Sequence, residues 1–469
     1  VRAADVIGDA VWRRREPRVQ NSLMATGSLA LKFRWQSTGM HSADQRAIQG
    51  VVNKQKHWRG LKRRHTIVAA GALVAGALGI GASVLASASP SPSPLAASLS
   101  SAASPGSAAG PASTETAFPL HTDRGNIVDA AGKPVTLTGV NWFGFETATF
   151  APDGLYTRNY KSMIDQIVAS GFNTVRLPYS NALFRAGNTP NINYEVNPDL
   201  KGLNGLALMD KIIDAATARG LMVILDQHRP DQYAQSDLPD TSTLSEQQWI
   251  NDWVMLAQHY RNNPLVIGAD LHNEPHGEAT WGTGNPQTDW RLMAEKAGDA
   301  VLQANPNWLI FVEGIDNYQG QSYWWGGDLA AAKRYPVQLS VPNHLVYEAH
   351  DYGPGVSYQS WFQAKNFPDN LQGIWERNWA YLKDQGIAPV LLGEFGGQSV
   401  GNDTEGKWQT TLVAFIKQHG ISYTYWSWNP DSGDTGGILN YDWQTVNNAK
   451  LDLLRTYQAP LLPGTDRLK

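Results

Sequence analysis

The chain is predicted to be an α/β protein whose main body closes into a (β/α)8 barrel, and three observations carry that prediction. Eight short apolar runs follow one another along residues 118–462, stretches with helical spacing separate most of them, and polar or aromatic residues gather where each run stops. Short apolar runs alternating with helical periodicity are the mark of parallel βα units. Eight such units in about 345 residues fit a single closed barrel with generous loops.

The strand candidates are Val135–Val140, Thr174–Leu177, Met222–Leu225, Val266–Leu271, Leu309–Val312, Leu345–Tyr347, Val390–Leu392 and Ser422–Trp426. Helical spacing runs through Tyr160–Ser170, Leu206–Arg219, Glu246–His259, Trp290–Gln303, Leu371–Gln385 and Trp408–Gln418. A doubly wound open sheet is the competing architecture. Against it, the first strand runs into Asn141-Trp142-Phe143-Gly144 rather than a glycine-rich phosphate turn.

Four other segments surround this body: a basic extension over 1–53, an export or anchor segment over 54–88, a linker over 89–117 and a short tail over 463–469. The first residue is Val, which suits an alternative start codon, and Met40 is a second candidate start. Lys54, Lys56, Arg59, Lys62, Arg63 and Arg64 precede an uncharged run from Thr66 to Leu85, which ends in Ala86-Ser87-Ala88. A basic stretch, an apolar run and a small-x-small site make a secretory signal peptide. An uncleaved membrane anchor is the other reading, since about 20 uncharged residues can just span a bilayer. Arg63-Arg64 raises a twin-arginine route, although no Phe-Leu follows. From Ser87 to Thr116 the chain is almost wholly Ala, Ser, Pro and Gly, a composition that buries no core and reads as a flexible linker.

Charge narrows the partners. Residues 1–64 hold 14 Lys+Arg against 4 Asp+Glu, leaving 24 basic and 38 acidic residues over 65–469. A body with a net charge of −14 argues against nucleic acid, because each phosphate contact needs a cation. It suits a neutral substrate. The chain has no cysteine, which excludes thiol catalysis, zinc–thiolate sites and disulfides. Of its 18 Trp, 15 follow residue 118; so many rings fill a core or line a sugar-stacking cleft.

Chemistry in such a barrel sits at the C-terminal strand ends. In order these ends carry Asn141-Trp142, Arg176, Asp226 and His228, His272-Asn273-Glu274-Pro275, Glu313, His350 and Tyr352, Glu394, and Trp426 with Trp428. Glu274 and Glu394 follow the fourth and seventh strands, within Asn-Glu-Pro and Gly-Glu-Phe-Gly. Two carboxyl groups facing each other across a barrel mouth suit glycoside hydrolysis, which needs a proton on the leaving oxygen and a carboxylate on the other face of the sugar. Arg176 either pairs with one of them and holds it ionised or serves as an ordinary salt-bridge residue.

Residues 118–462 resemble glycoside hydrolase family 5, in particular its bacterial endo-β-1,4-glucanase branch. The resemblance rests on GVNWFGFET at 139–147, NTVRLPYS at 173–180, LDQHRPD at 225–231, DLHNEPHG at 270–277, HDY at 350–352, GEFGG at 393–397 and WSWNPDSGDTGGIL at 426–439. It implies a TIM barrel acting as a retaining endo-β-1,4-glucanase on β-glucan, with no cofactor and no metal. Glu274 is then the general acid/base and Glu394 the nucleophile. Asn273 bonds the sugar 2-hydroxyl, while His228, His350 and Tyr352 line that subsite. Arg176 supports Glu394, and Trp426 is the platform under the ring. Trp142, Trp325 and Trp428 are further sugar-stacking candidates, and Glu313, Asp226 and Asp351 are neighbours of the site. A monomer is expected, secreted to the outside or held at the cell surface if the segment over 54–88 stays uncleaved.

The sequence departs from that branch in three ways. Cysteine pairs common there are absent, and Gln227 stands where Arg is expected. No cellulose-binding module is recognisable beside the barrel, which leaves any grip on solid cellulose to the barrel itself. Two other functions stay open from sequence: the same machinery acting on mannan or mixed-linkage glucan, and a non-catalytic sugar-binding barrel.

Overall fold

The computed structural model describes residues 116–187 and 189–462. The readings of the basic extension, the export segment, the terminal tail and the linker up to residue 115 fall outside the described residues. Eight parallel strands close on themselves: β1 (Thr138–Asn141), β2 (Thr174–Ser180), β3 (Met222–Arg229), β4 (Val266–Asp270), β5 (Leu309–Glu313), β6 (Leu345–His350), β7 (Val390–Glu394) and β8 (Ser422–Tyr425). Each strand pairs with its sequence neighbours, and β8 returns to β1, as the (β/α)8 prediction requires.

Helices cover the outside: α1 (Tyr160–Ala169), α2 (Gly205–Thr217), α3 (Glu246–His259), α4 (Trp290–Ala304), α5 (Asn370–Trp375), α6 (Tyr381–Asp384), α7 (Thr404–His419) and α8 (Asn448–Arg455). A π-helical stretch, Glu376–Ala380, joins α5 to α6. Local chemistry fixes several ends. Asn159, Ser245 and Asp403 accept hydrogen bonds from the first-turn N–H groups of α1, α3 and α7. Gly420, at φ 62°, closes α7 in the left-handed conformation.

One expectation is corrected. Residues 135–137 are not in the first strand, because Val135 N–H instead donates to Ile127 O in the short hairpin His121–Asp123/Asn126–Val128. Among the described residues no helix follows β5. Gly326-Gly327 and Pro336 leave too few residues between them for more than a costly helix nucleus. The connection instead carries the small ribbon Asn317–Tyr318/Gln321–Ser322.

Strand alternation divides the interior. In β3, Met222 and Ile224 join an apolar plug with Ile267, Leu309, Phe311, Val346 and Leu391. Their neighbours Val223, Leu225, Ile310, Val312, Tyr347 and Leu392 pack outward under the helices. Moving up the same inward rows, the period of two brings Asp226 after Ile224, Glu313 after Phe311 and Glu348 after Val346. The barrel is therefore apolar at its lower end and acidic just beneath its mouth.

Candidate active site

Pairing register sets the polar residues at common levels. Asn141 lies beside Arg176, Asp226 beside Asp270, Glu313 beside Glu348 and His350 beside Glu394. Arg176 is fully buried at their centre. Its Nη1 donates to Glu394 Oε1 at 2.7 Å and to Asn141 Oδ1 at 2.9 Å. Nη2 donates to Asp270 Oδ2 at 2.6 Å and to Asn273 Oδ1 at 3.1 Å. Asp226, Glu313 and Glu348 complete the shell at 3.0, 3.3 and 3.2 Å.

One guanidinium cannot balance five buried carboxylates, so protons must do the rest. Burial raises Asp226 to about 7. It also lifts Asp270, and pushes Glu313 and Glu348 well above the carboxylate range. Burial alone opposes charge on Arg176, but the carboxylates of Asp226, Asp270, Glu348 and Glu394 overcome it and hold the group ionised.

The two glutamates read as a catalytic pair have different surroundings. Both oxygens of Glu394 are held: Oε1 by Arg176 and Oε2 by the Tyr352 hydroxyl at 2.6 Å. Two directed donors fix its orientation. Glu274 has no cation against its carboxyl oxygens. Gln235 Nε2 donates to Oε2 at 3.0 Å and His350 Nδ1 lies 3.1 Å from Oε1. Burial raises Glu274 to about 7, while it drives His350 down to about 3 and leaves that ring neutral. An acid that keeps its proton near neutrality thus faces a carboxylate held ready. Glu274, His350 and Glu394 each bring one ligand atom within 4.8 Å of the others, so an oxygen of each carboxyl group lies that close.

Glu274 has a left-handed backbone, φ 52°, which is unfavourable for a side chain with a Cβ. Its N–H donates to Glu313 Oε2 at 2.8 Å, and His276 Nδ1 reaches its carbonyl at 2.6 Å. These two contacts hold the bend that turns the carboxyl group inward.

Around the pair, Asn273 keeps a buried Nδ2 with no hydrogen-bond partner among the described residues. His228 Nδ1 is 2.7 Å from Asp226 Oδ2, and its ring stacks on the half-buried Trp426 at 5.4 Å. Trp426 also stacks on Phe143 at 5.2 Å. On the other side of Glu274 a cavity of about 370 Å³ is lined by Tyr323, Trp324, Trp325, Tyr352, Val356 and Gln359 among others. Trp325 is partly exposed there and stacks on His276 at 3.7 Å.

Three sequence candidates lie elsewhere. Trp142 is buried, with Nε1 donating to Asp153 O, because the alternation that turns Asn141 inward turns the next residue out. Trp428 is likewise core. Asp351 does not touch the carboxylates: it accepts from Trp375 Nε1, Trp408 Nε1 and the Tyr323 hydroxyl, and braces the loop bearing Tyr352. Gln227, which replaces an expected Arg, is buried between Asn181 and His272 rather than lining the cleft. The sequence reading missed Gln235, Asp270 and Glu348. The last two stand on inward strand positions, a period-two signal that was available.

Three groups of His and carboxylate could offer ligands to a cation: Asp226–His228–Glu394, Glu274–His350–Glu394 and Glu313–Glu348–His350. In each, at least one carboxylate already lies against Arg176, so a metal would face that guanidinium at close range. The donor set fits proton sharing better.

Residues 128–432 match the family model described as cellulase (glycosyl hydrolase family 5). An endoglucanase of Paenibacillus polymyxa is 54% identical over 347 residues, covering 73% of this chain and 87% of that protein. The major extracellular endoglucanase of Xanthomonas campestris pv. campestris is 46% identical over 356 residues, covering 74% and 72%. The solved catalytic domain of the major endoglucanase from that organism superposes with a TM-score of 0.69, covering 72% of this chain and 99% of that one. A hyperthermophilic endocellulase from Pyrococcus horikoshii gives 0.69 at 41% identity, covering 73% and 99%; structures of an endocellulase from that archaeon include complexes with cellotetraose.

Proposed function

The chain belongs to glycosyl hydrolase family 5, and from that premise we propose that it is an endo-β-1,4-glucanase cleaving β-glucan by double displacement at Glu394 and Glu274. The observation that carries this reading is the contrast between the two glutamates: one carboxyl group fixed by hydrogen bonds from Arg176 and Tyr352, the other raised to about 7, with an oxygen within 4.8 Å of it. That approach suits retention, for which carboxyl groups stand ~5–5.5 Å apart, rather than the wider spacing of ~6.5–9.5 Å used for inversion.

In the first step Glu394 forms a bond to the anomeric carbon as Glu274 gives its proton to the leaving glycosidic oxygen. In the second step Glu274, now a carboxylate, takes a proton from water. The water oxygen replaces Glu394 at the anomeric carbon, restoring both side chains and the original configuration. Asn273 Nδ2, without a hydrogen-bond partner among the described residues, donates to the sugar 2-hydroxyl. Trp426, with its ring aligned to Phe143 and His228, supports the sugar whose bond is cut. His350, neutral, orients the acid/base.

Every one of these groups comes from a single chain, so one chain is enough to form the site. The basic stretch ending at Arg64, the uncharged run to Leu85 and Ala86-Ser87-Ala88 support export, as does similarity to a relative named for being extracellular. The test is a hydrolysis panel of soluble cellulose derivative, mixed-linkage β-glucan and mannan with product sizing. Rapid shortening of the cellulose derivative into mixed oligosaccharides supports the reading, and no cleavage of it overturns it.

A further inference from the structure

We propose that the barrel's catalytic face carries, outside the cleft, a docking surface for solid β-glucan built from exposed aromatic rings. The large hydrophobic side chains left exposed among the described residues are Tyr156 (40%), Val196 (37%), Tyr233 (78%), Trp325 (46%), Tyr358 (64%) and Tyr441 (71%). All six lie in segments that leave the C-terminal ends of strands: after β1, β2, β3, β5, β6 and β8 in that order. The helices and the connections at the opposite end contribute none. A random scatter of surface apolar residues would not sort itself to one end.

The chemistry of the set narrows the occupant. Five of the six are aromatic and none is Leu, Ile, Met or Phe. Protein interfaces also use Tyr and Trp, but with Phe, Met and Arg beside them, and membrane-surface segments add Leu, Phe and cations. Tyr and Trp combine a flat apolar face with a polar edge, which suits the C–H faces and hydroxyl rims of stacked sugar rings. A main body of net charge −14 over 65–469 also works against anionic lipid and polyanions, and is indifferent to neutral glucan.

The rings are continuous with the cleft at both ends. Tyr358 sits between Ser357 and Gln359, which line the cavity beside Glu274, and Trp325 lines that cavity itself. Tyr233 is two residues from Gln235, which holds Glu274. At the far side, Tyr441 stands on the loop that carries Trp426, and Tyr156 packs edge-on against Trp443 of that loop at 5.6 Å. Among the described residues no hydrogen bond or ring contact joins Tyr233, Tyr358 or Tyr441 to Glu274 or Glu394. A chain lying on this face is presented to the cleft while its neighbours in a sheet meet the rim. This rests on the β-glucan reading above, but concerns capture of a solid rather than bond cleavage.

The test is the triple variant Tyr233→Ala/Tyr358→Ala/Tyr441→Ala, with Tyr→Phe at the same three positions as its partner. Partition onto microcrystalline cellulose at low temperature is measured beside kcat/KM on a soluble cello-oligosaccharide. The alanine variant should bind the solid about tenfold more weakly with soluble turnover within about twofold, and the phenylalanine variant should retain most of the binding. Unchanged partition of the alanine variant overturns the proposal. So does equal loss on the soluble substrate, which would put the rings in the cleft or the fold. Wild-type self-association abolished by the alanine changes, or binding to neutral phosphatidylcholine vesicles in place of cellulose, overturns it too. If the triple alanine variant fails to fold, the three single variants are measured, each expected to bind more weakly. Wild-type protein that cleaves no soluble β-1,4-glucan would instead sink the functional reading, whatever the partition shows.

Discussion

Gln235→Leu should move the alkaline limb of the pH–rate profile upward and leave the acid plateau nearly untouched. Gln235 Nε2 donates to Glu274 Oε2 at 3.0 Å, and that bond lowers the Glu274 pKa against the larger effect of burial, which raises it to about 7. A hydrogen bond to a charged group contributes ~1.5–3 kcal/mol, and one between neutral groups ~0.5–1.5 kcal/mol. The bond therefore favours the carboxylate over the acid by ~1 kcal/mol, or ~0.7 of a pKa unit. Leucine fills similar space without the donor. The proton on Glu274 should then persist to higher pH, and kcat/KM on a soluble glucan should fall off ~0.7 unit later than in the wild type. A limb that stays put or moves downward would refute the assignment of Glu274 as the group whose proton is lost there.

Glu394→Gln should abolish turnover on every substrate, whereas Glu274→Gln, which loses ~10²–10⁴-fold on glucan, should be much milder on an aryl glycoside whose phenolate needs no proton; equal losses on both substrates would contradict the roles. Trp426→Ala should cut kcat/KM by about tenfold or more while the melting temperature falls by only ~2–4 °C, since its ring is half-buried and stacks on Phe143 and His228 rather than filling the core; loss of the folded protein would place it in the core instead. Thermal stability should be higher at pH 5 than at pH 8. Burial raises Glu146, Asp226 and Asp351 to about 7 and Asp153 to about 8, so the native state keeps protons that the unfolded chain releases near pH 4. Stability is then fully present below about pH 4 for these groups and is lost as pH rises through 7–8, by ~1.4 kcal/mol per pH unit for each group protonated only when folded. A melting temperature that climbs from pH 5 to 8 would show that these acids are already ionised in the fold.

The barrel was readable because its strands are buried on both faces and punctuated by polar residues at one end. The fourth and seventh strand ends pointed to Glu274 and Glu394 for the same reason, and the structure brings an oxygen of each within 4.8 Å of the other. What failed was orientation at single positions. Asn141 and Trp142 are adjacent, yet the pleat sends one to Arg176 and the other to the core. Glu348 lies one residue past the apolar run Leu345–Tyr347, on the inward row after Val346 that ends at Arg176, and the run by itself carries no signal there. Gln235 sits in a long loop, where no periodicity ties a residue to a place and only the folded path brings it to Glu274.

The most direct test of the account is the configuration of the first-formed product, followed by proton NMR during hydrolysis of a short β-1,4-glucan oligosaccharide. Attack by Glu394 followed by water directed by Glu274 inverts the anomeric carbon twice, so the β-anomer should appear first and the α-anomer only later, by mutarotation. The α-anomer appearing first would mean a single displacement by water, and would contradict a covalent intermediate on Glu394.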